Sequence, residues 1–252
     1  MTDAERLAAA FKGGGRIESL NAPPATVEEG YDIQDAMRAA LDKPVVGWKV
    51  AAATPKGQAA LGVDAPTVAP LLEGMIVPAD TVFAAGSFYA PEFEAEIAIE
   101  LASPLSGDIT PEDVRVAASG FRLAIEVADT RYVDKRAQSP ASVIADLNAS
   151  GALVVGQLQD MQLLRTAAKA EVSGRIGDGN LVEPMPADNR PDPLAVVAFL
   201  ARFLHGRGQS LAAGAILTTG THVVPTPSPP GAIGANFVNV GRIGARLSEP
   251  RP

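Results

Sequence analysis

The chain is expected to fold as a mixed α+β domain, rich in strands, with a helical N-terminal region packed against it. In the first seventy or so residues apolar side chains recur at near-helical spacing. From about Met75 the pattern changes to strand-like runs separated by turn residues. With 252 residues and 47% hydrophobic content, there is enough apolar material for a substantial core. The division expected is a helical region over 1–74 and a strand-rich part over 75–252, integrated as one unit.

Taken in order, Asp3 is placed to cap a short helix that stops at Gly13-Gly14-Gly15. Thr26, with Glu29 three residues on, is a capping-box pattern before a helix from Val27 to Leu41, where Val27, Tyr31, Met37 and Leu41 share one face. Val45 to Val50 reads as a short strand, which puts Lys49 just before a turn. Thr54-Pro55, a cap followed by proline at the first helical position, opens a helix ending at Leu61-Gly62. Phe93 to Leu101 is the first long strand. Thr110-Pro111 opens a helix closed by Gly120, and Phe121 to Ala128 is the next strand. Ser139-Pro140 opens a helix carrying Asp146, Leu153 to Val155 is strand-like, and Asp178-Gly179 is a hairpin signal. Asp192-Pro193 starts a helix from Leu194 to Leu204, ended by Gly206, and Ala215 to Thr219 and Asn236 to Leu247 complete the strands. Prolines at 225, 227, 229 and 230 make Thr221 to Gly231 a stiff loop that cannot form a regular central strand.

Composition narrows the function. A net charge of −8 argues against a general nucleic-acid or anionic-membrane surface, which needs clustered basic residues, and leaves a small molecule as the expected partner. The absence of cysteine excludes disulfides, thiolate metal sites and cysteine nucleophiles. The first residues lack a signal-peptide layout and no apolar run approaches the ~18 residues of a membrane span, so the cytoplasm is the expected compartment. Neither a P-loop nor a dinucleotide fingerprint is present; Gly13-Gly14-Gly15 follows a helix rather than a strand.

The chemistry concentrates on Glu92-Phe93-Glu94-Ala95-Glu96-Ile97-Ala98-Ile99-Glu100. Strand side chains alternate faces, so Glu94 and Glu96 share one face roughly 7 Å apart, where they repel unless a cation lies between them. A divalent metal fits, and so does an acidic, half-solvated outer face. Glu126, between the small residues Ala124 and Ala128 on another strand, is a third candidate, since burying it alone is costly. Three carboxylates suit Mg²⁺ or Mn²⁺ better than Zn²⁺, with salt bridges to Arg122 or Arg131 as the alternative. Lys49, in an otherwise apolar strand, must either reach the surface or pair with such a cluster.

These residues, in order, resemble a known family. Gly47-Trp48-Lys49-Val50, Leu61-Gly62-Val63-Asp64, Glu94-Ala95-Glu96-Ile97-Ala98, Leu123-Ala124-Ile125-Glu126-Val127, Ile144-Ala145-Asp146 before Gly151-Ala152-Leu153-Val154-Val155-Gly156, and Thr219-Gly220-Thr221 before a proline-rich loop are similar to the 2-keto-4-pentenoate hydratases of the fumarylacetoacetate hydrolase superfamily. The resemblance covers nearly the whole chain, from Tyr31-Asp32-Ile33-Gln34 to the last strand. It implies a mixed β-roll core, a divalent metal held by Glu94, Glu96 and Glu126, and a 2-oxo or 2-hydroxy-dienoic acid chelating that metal through its carboxylate and C2 oxygen. The implied reaction is addition of water to a 2-hydroxy-2,4-dienoate or its 2-oxo-4-enoate tautomer in a catabolic pathway. Decarboxylation of a 2-oxo-enedioate, C–C hydrolysis of an acylpyruvate, or metal and oxo-acid binding without turnover are alternatives at the same site. A homo-oligomer is implied as well.

By the same resemblance Lys49 orients substrate and helps move a proton. Asp146 matches a family aspartate, with proton relay, lid anchoring, or a plain surface or capping role open to it. Thr54 and Thr221 match substrate-binding positions and equally suit turn residues. His222, next to Thr221, is within reach of the pocket or incidental; His205 suits the C-terminal end of a helix. Three departures stand out: Pro66-Thr67-Val68-Ala69 where the family has a Pro-Asp-aromatic-Gly turn, and Ala215 and Ala232 in place of turn aspartates. The first removes an acid from the neighbourhood of the site.

Overall fold

The computed structural model describes residues 1–177 and 179–251, and its α-helices, α6 apart, begin where the sequence supplies a capping side chain. They are α1 (Asp3–Phe11), α2 (Val27–Leu41), α3 (Pro55–Leu61), α4 (Pro111–Ala117), α5 (Pro140–Ala145), α6 (Leu164–Lys169) and α7 (Pro193–Gly206). The Thr26–Glu29 capping box opens α2, and Thr54 with Pro55 opens α3, which ends in a left-handed Gly62. In α1 the cap is Thr2 rather than Asp3; Asp3 instead accepts the Asn21 and Ala22 amides at 2.9 Å each, tying the following loop to the helix.

The strands are β1 (Val45–Ala51), β2 (Thr67–Leu72), β3 (Ile76–Pro78), β4 (Glu92–Leu101), β5 (Ala118–Ala128), β6 (Ser150–Val155), β7 (Val172–Gly177), β8 (Asn180–Val182), β9 (Ile216–Thr221), β10 (Thr226–Pro227), β11 (Gly231–Phe237) and β12 (Gly241–Leu247). They form two sheets in a mixed α+β fold. The larger, a curled half-barrel, runs β2-β1-β9-β4-β5-β6-β3 with β10 beside β4; the smaller runs β12-β11-β7-β8. Strands from before residue 75 therefore lie in the same sheet as β4 and β5.

Four expectations are corrected. β2, where no strand was expected, is an edge strand paired only with β1, so the missing amide of Pro70 is tolerated. Gly120 does not close α4 but lies in β5 opposite Glu100. Asn236 to Leu247 is not one strand: it spans the end of β11, a turn over residues 238–240, and β12. Two residues of the proline-rich loop, Thr226 and Pro227, pair with the end of β4 as β10. Asp178 of the hairpin signal lies outside the described residues, while β7 and β8 on either side are paired.

Both faces of the large sheet are covered. Phe93, Ala95, Ile97, Ile99 and Leu101 of β4 point into the main core with the small sheet and α7. Burial of each large apolar side chain contributes about 1.5–3 kcal/mol. The opposite face, at Ala98, Ala124 and Leu153, packs under α1 and α2 through Leu7, Met37 and Leu41. Glu94, Glu96 and Glu126 lie on this second face, and the cavity opens beyond the cover of these helices.

Candidate active site

A cavity of about 670 Å³ is lined by Glu94, Glu96, Glu126 and Lys49 together with Thr54, Thr67, Asn148 and Thr221. Such a volume suits a small molecule. The lattice of the sheet explains the grouping. Glu94 and Glu126 are direct cross-strand partners on β4 and β5, and Glu96 is two residues along on the same face, opposite Thr221 of β9.

Burial rules out a solvated acidic face. Glu96 and Glu126 are 1% and 2% exposed. Burial first, then the Glu126 charge, pushes the Glu94 carboxyl up to about 7, against the pull of Lys49 and Lys135. Glu96 is driven well above the usual carboxylate range by burial and by Glu126 and Glu94, although its Oε2 accepts the Thr219 and Gly220 amides at 3.2 and 2.9 Å. Neither expected arginine neutralises these three: Arg122 pairs with Glu100, and Arg131 with Asp146. Glu92, at the strand end, pairs with Lys135.

Lys49 is buried, donating to Glu126 and to the Asn148 carbonyl, the latter at 3.0 Å. Burial works against its charge, but the field of Glu126, Glu94 and Glu96 more than offsets this and holds its pKa above an ordinary lysine. The surface-lysine reading is thereby excluded.

The donor set fits a hard divalent cation: three carboxylates on one face, two of them raised by burial and by the charge of their neighbours. Among the described residues no three acidic or histidine side chains already close on one point. Lys49 is drawn onto Glu126 and Glu96 onto backbone amides, so loading a cation requires side-chain rotation.

The remaining expected residues divide. Thr54 and Thr221 line the cavity, but their hydroxyls bond to the protein, Thr54 to Asn189 Oδ1 at 2.6 Å and Thr221 to the Val223 carbonyl at 2.9 Å. Asp146 lies apart from these. It is absent from the cavity lining and wholly buried, held by Arg131 and by Thr130 Oγ1 at 2.9 Å. This burial excludes a surface role, while the capping role stands: Asp146 is the C-cap residue of α5. His222 is buried against Phe237, outside the lining. His205 ends α7, with Ser106 Oγ 3.0 Å from its Nδ1.

Sequence reading missed Asn148, Lys135, Arg136 and Lys56 as lining residues. The basic pair Lys135-Arg136 was visible as charge, but nothing local placed it at the rim. Its turn, Lys135–Ala137, is fixed by Asp134, which accepts the Arg136 amide at 2.9 Å.

The chain is similar to several known proteins. The 4-oxalocrotonate decarboxylase of Pseudomonas sp. (strain CF600) is 29% identical over 220 residues, 83% of this chain and 80% of that protein. The 2-oxo-hept-4-ene-1,7-dioate hydratase of Escherichia coli is 27% identical over 260 residues, 97% and 96% of the two chains. A solved structure, 4-oxalocrotonate decarboxylase from Pseudomonas putida G7 complexed with magnesium and adipate, superposes with a TM-score of 0.82 at 26% identity, covering 97% of each chain. Residues 39–241 match the model of the fumarylacetoacetate (FAA) hydrolase C-terminal family, and the chain belongs to that family.

Proposed function

We propose that this protein is a divalent-metal-dependent lyase that adds water to a 2-oxo-4-enoate or its 2-hydroxy-2,4-dienoate tautomer. The observation that carries the reading is the buried face on which Glu94, Glu96 and Glu126 meet Lys49 in one cavity. Glu94, Glu96 and Glu126 would hold Mg²⁺ or Mn²⁺, as magnesium accompanies adipate in the Pseudomonas putida decarboxylase. Bound there, the cation supplies Lewis-acid stabilisation of negative charge on the substrate's C2 oxygen.

The chain's own residues do the rest. Lys49 Nζ, held between Glu126 and the Asn148 carbonyl, is positioned to orient the substrate's anionic end and to carry a proton between oxygen and carbon as the dienol becomes the ketone. The apolar wall of Val50, Val63, Val143 and Ile144 receives the hydrocarbon chain and limits water there. In the net reaction water's hydroxyl bonds to one alkene carbon and a proton to the other. Thr67, 4% exposed in the lining, leaves no acid at that position, which puts the proton-transfer duty on Lys49.

Decarboxylation is the second reading, favoured by the decarboxylases among the relatives. The two are separated by incubating purified protein with Mg²⁺ or Mn²⁺ and a 2-hydroxy-2,4-dienoate. Metal-dependent loss of dienol absorbance without CO₂ supports hydration. CO₂ release from a 2-oxo-enedioate supports the alternative, and inertness toward both acids with both metals contradicts lyase activity altogether.

A further inference from the structure

Three consecutive non-glycine residues, Leu147, Asn148 and Ala149, take left-handed backbone angles with φ of 51°, 50° and 56°. Each β-carbon in that region crowds the following carbonyl, and successive residues of this kind are rare. Such strain persists only where the surroundings impose it. Here Ser150 Oγ donates to the Leu147 carbonyl at 2.7 Å, the Ala149 amide donates to the Asp146 carbonyl at 2.9 Å, and Arg131 holds Asp146 and the Ser150 carbonyl. Asparagine alone accepts a left-handed turn easily. Leucine and alanine do not, so the turn is built for what it presents.

At its apex the Asn148 carbonyl receives Lys49 Nζ, and Asn148 lines the same cavity as Glu126. The residue is 7% exposed, and among the described residues its Nδ2 has no acceptor. A buried amide donor left unmet is unfavourable, and χ2 is a broad torsion in asparagine, so the donor is free to seek a partner in the cavity the residue lines.

We infer that Asn148 is a substrate-binding residue whose Nδ2 donates to an anionic oxygen of the bound 2-oxo acid, beside Lys49. This rests on the metal and oxo-acid reading of the cavity. The probe is oxalate, which presents the carboxylate and adjacent oxygen of such an acid. Calorimetric titration of wild type, Asn148→Ala and Asn148→Gly with Mg²⁺, and then with oxalate at saturating Mg²⁺, tests it. Both variants retain the backbone carbonyl that receives Lys49. Oxalate affinity falls about tenfold or more in each, Mg²⁺ affinity is unchanged, and Asn148→Gly melts at or above the wild-type temperature because glycine accepts this φ freely. Unchanged oxalate affinity in both variants overturns the inference, as does an equal loss of Mg²⁺ affinity. Wild type that binds neither Mg²⁺ nor oxalate overturns the underlying reading of the cavity; wild type that binds both, with variants that match it, removes Asn148 alone.

Discussion

His222 lies wholly buried with its ring 5.7 Å from that of Phe237, and burial, with the nearby Arg190 charge, lowers its imidazole pKa to about 4. An unfolded histidine titrates near 6.5. Between those values the unfolded chain binds a proton that the folded chain refuses. Stability present above about pH 6.5 is therefore lost as pH falls toward 4, by about 3 kcal/mol in all. Urea unfolding at pH 7 and pH 4.5 checks this: wild type loses more stability across the interval than His222→Gln. Lys49 gives a second residue-scale expectation. Lys49→Met leaves Glu126 buried without its cation, which costs about 3 kcal/mol or more in metal-free protein, seen as a lower melting temperature. Turnover falls about 100-fold or more, while added Mg²⁺ restores part of the stability. Glu94, Glu96, Glu126 and Lys49 were legible because strand alternation puts them on a defined face. Asn148 was not, since its position depends on a left-handed turn between two residues that do not favour one. The burial of Asp146 was not legible because a helix signal says nothing of what its C-terminal end meets, here the buried Arg131.

At the scale of elements, local signals located α2 and α3 to the residue, because their caps and the left-handed Gly62 are written in short patterns. They failed where pairing decides. β2 exists because β1 offers it a partner, and β11 and β12 separate because Val238 to Val240 turns between mutually paired strands. Helix packing is equally non-local. Gly30 of α2 lies so close to α5 that a β-carbon there would sit 2.5 Å from the Ala141 carbonyl oxygen. Gly30→Ala forces the two helices apart and destabilises the protein by about 1–3 kcal/mol, read as a lower melting temperature. The Lys135–Ala137 turn is the element that sets the cavity rim. Lys135 pairs with Glu92 and Lys56 with Asp188, whereas the guanidinium of Arg136 has no ion-pair partner among the described residues. Arg136→Gln is expected to weaken binding of adipate at saturating Mg²⁺ severalfold and leave oxalate binding unaffected, by calorimetry, since only the longer dicarboxylate extends to the rim.

Across the whole molecule, the mixed fold follows from a division of one sheet face. The N-terminal helices cover it where Ala98, Ala124 and Leu153 lie, and the cavity takes over where Glu94, Glu96 and Glu126 replace them. The composition and alternation of the strands made the class of fold readable. The curl that brings β1 and its lysine across β9 to the carboxylates of β4 and β5 comes from the assembled sheet, and no local pattern contains it. The central claim is that these carboxylates form a divalent-cation site. Calorimetric titration of wild type and Glu96→Gln with Mg²⁺ and Mn²⁺ tests it most directly. The account predicts one cation per wild-type chain and at least about tenfold weaker binding in the variant, the loss expected when one charged ligand is neutralised. Wild type that takes up neither cation, or a variant that binds as tightly as wild type, contradicts it.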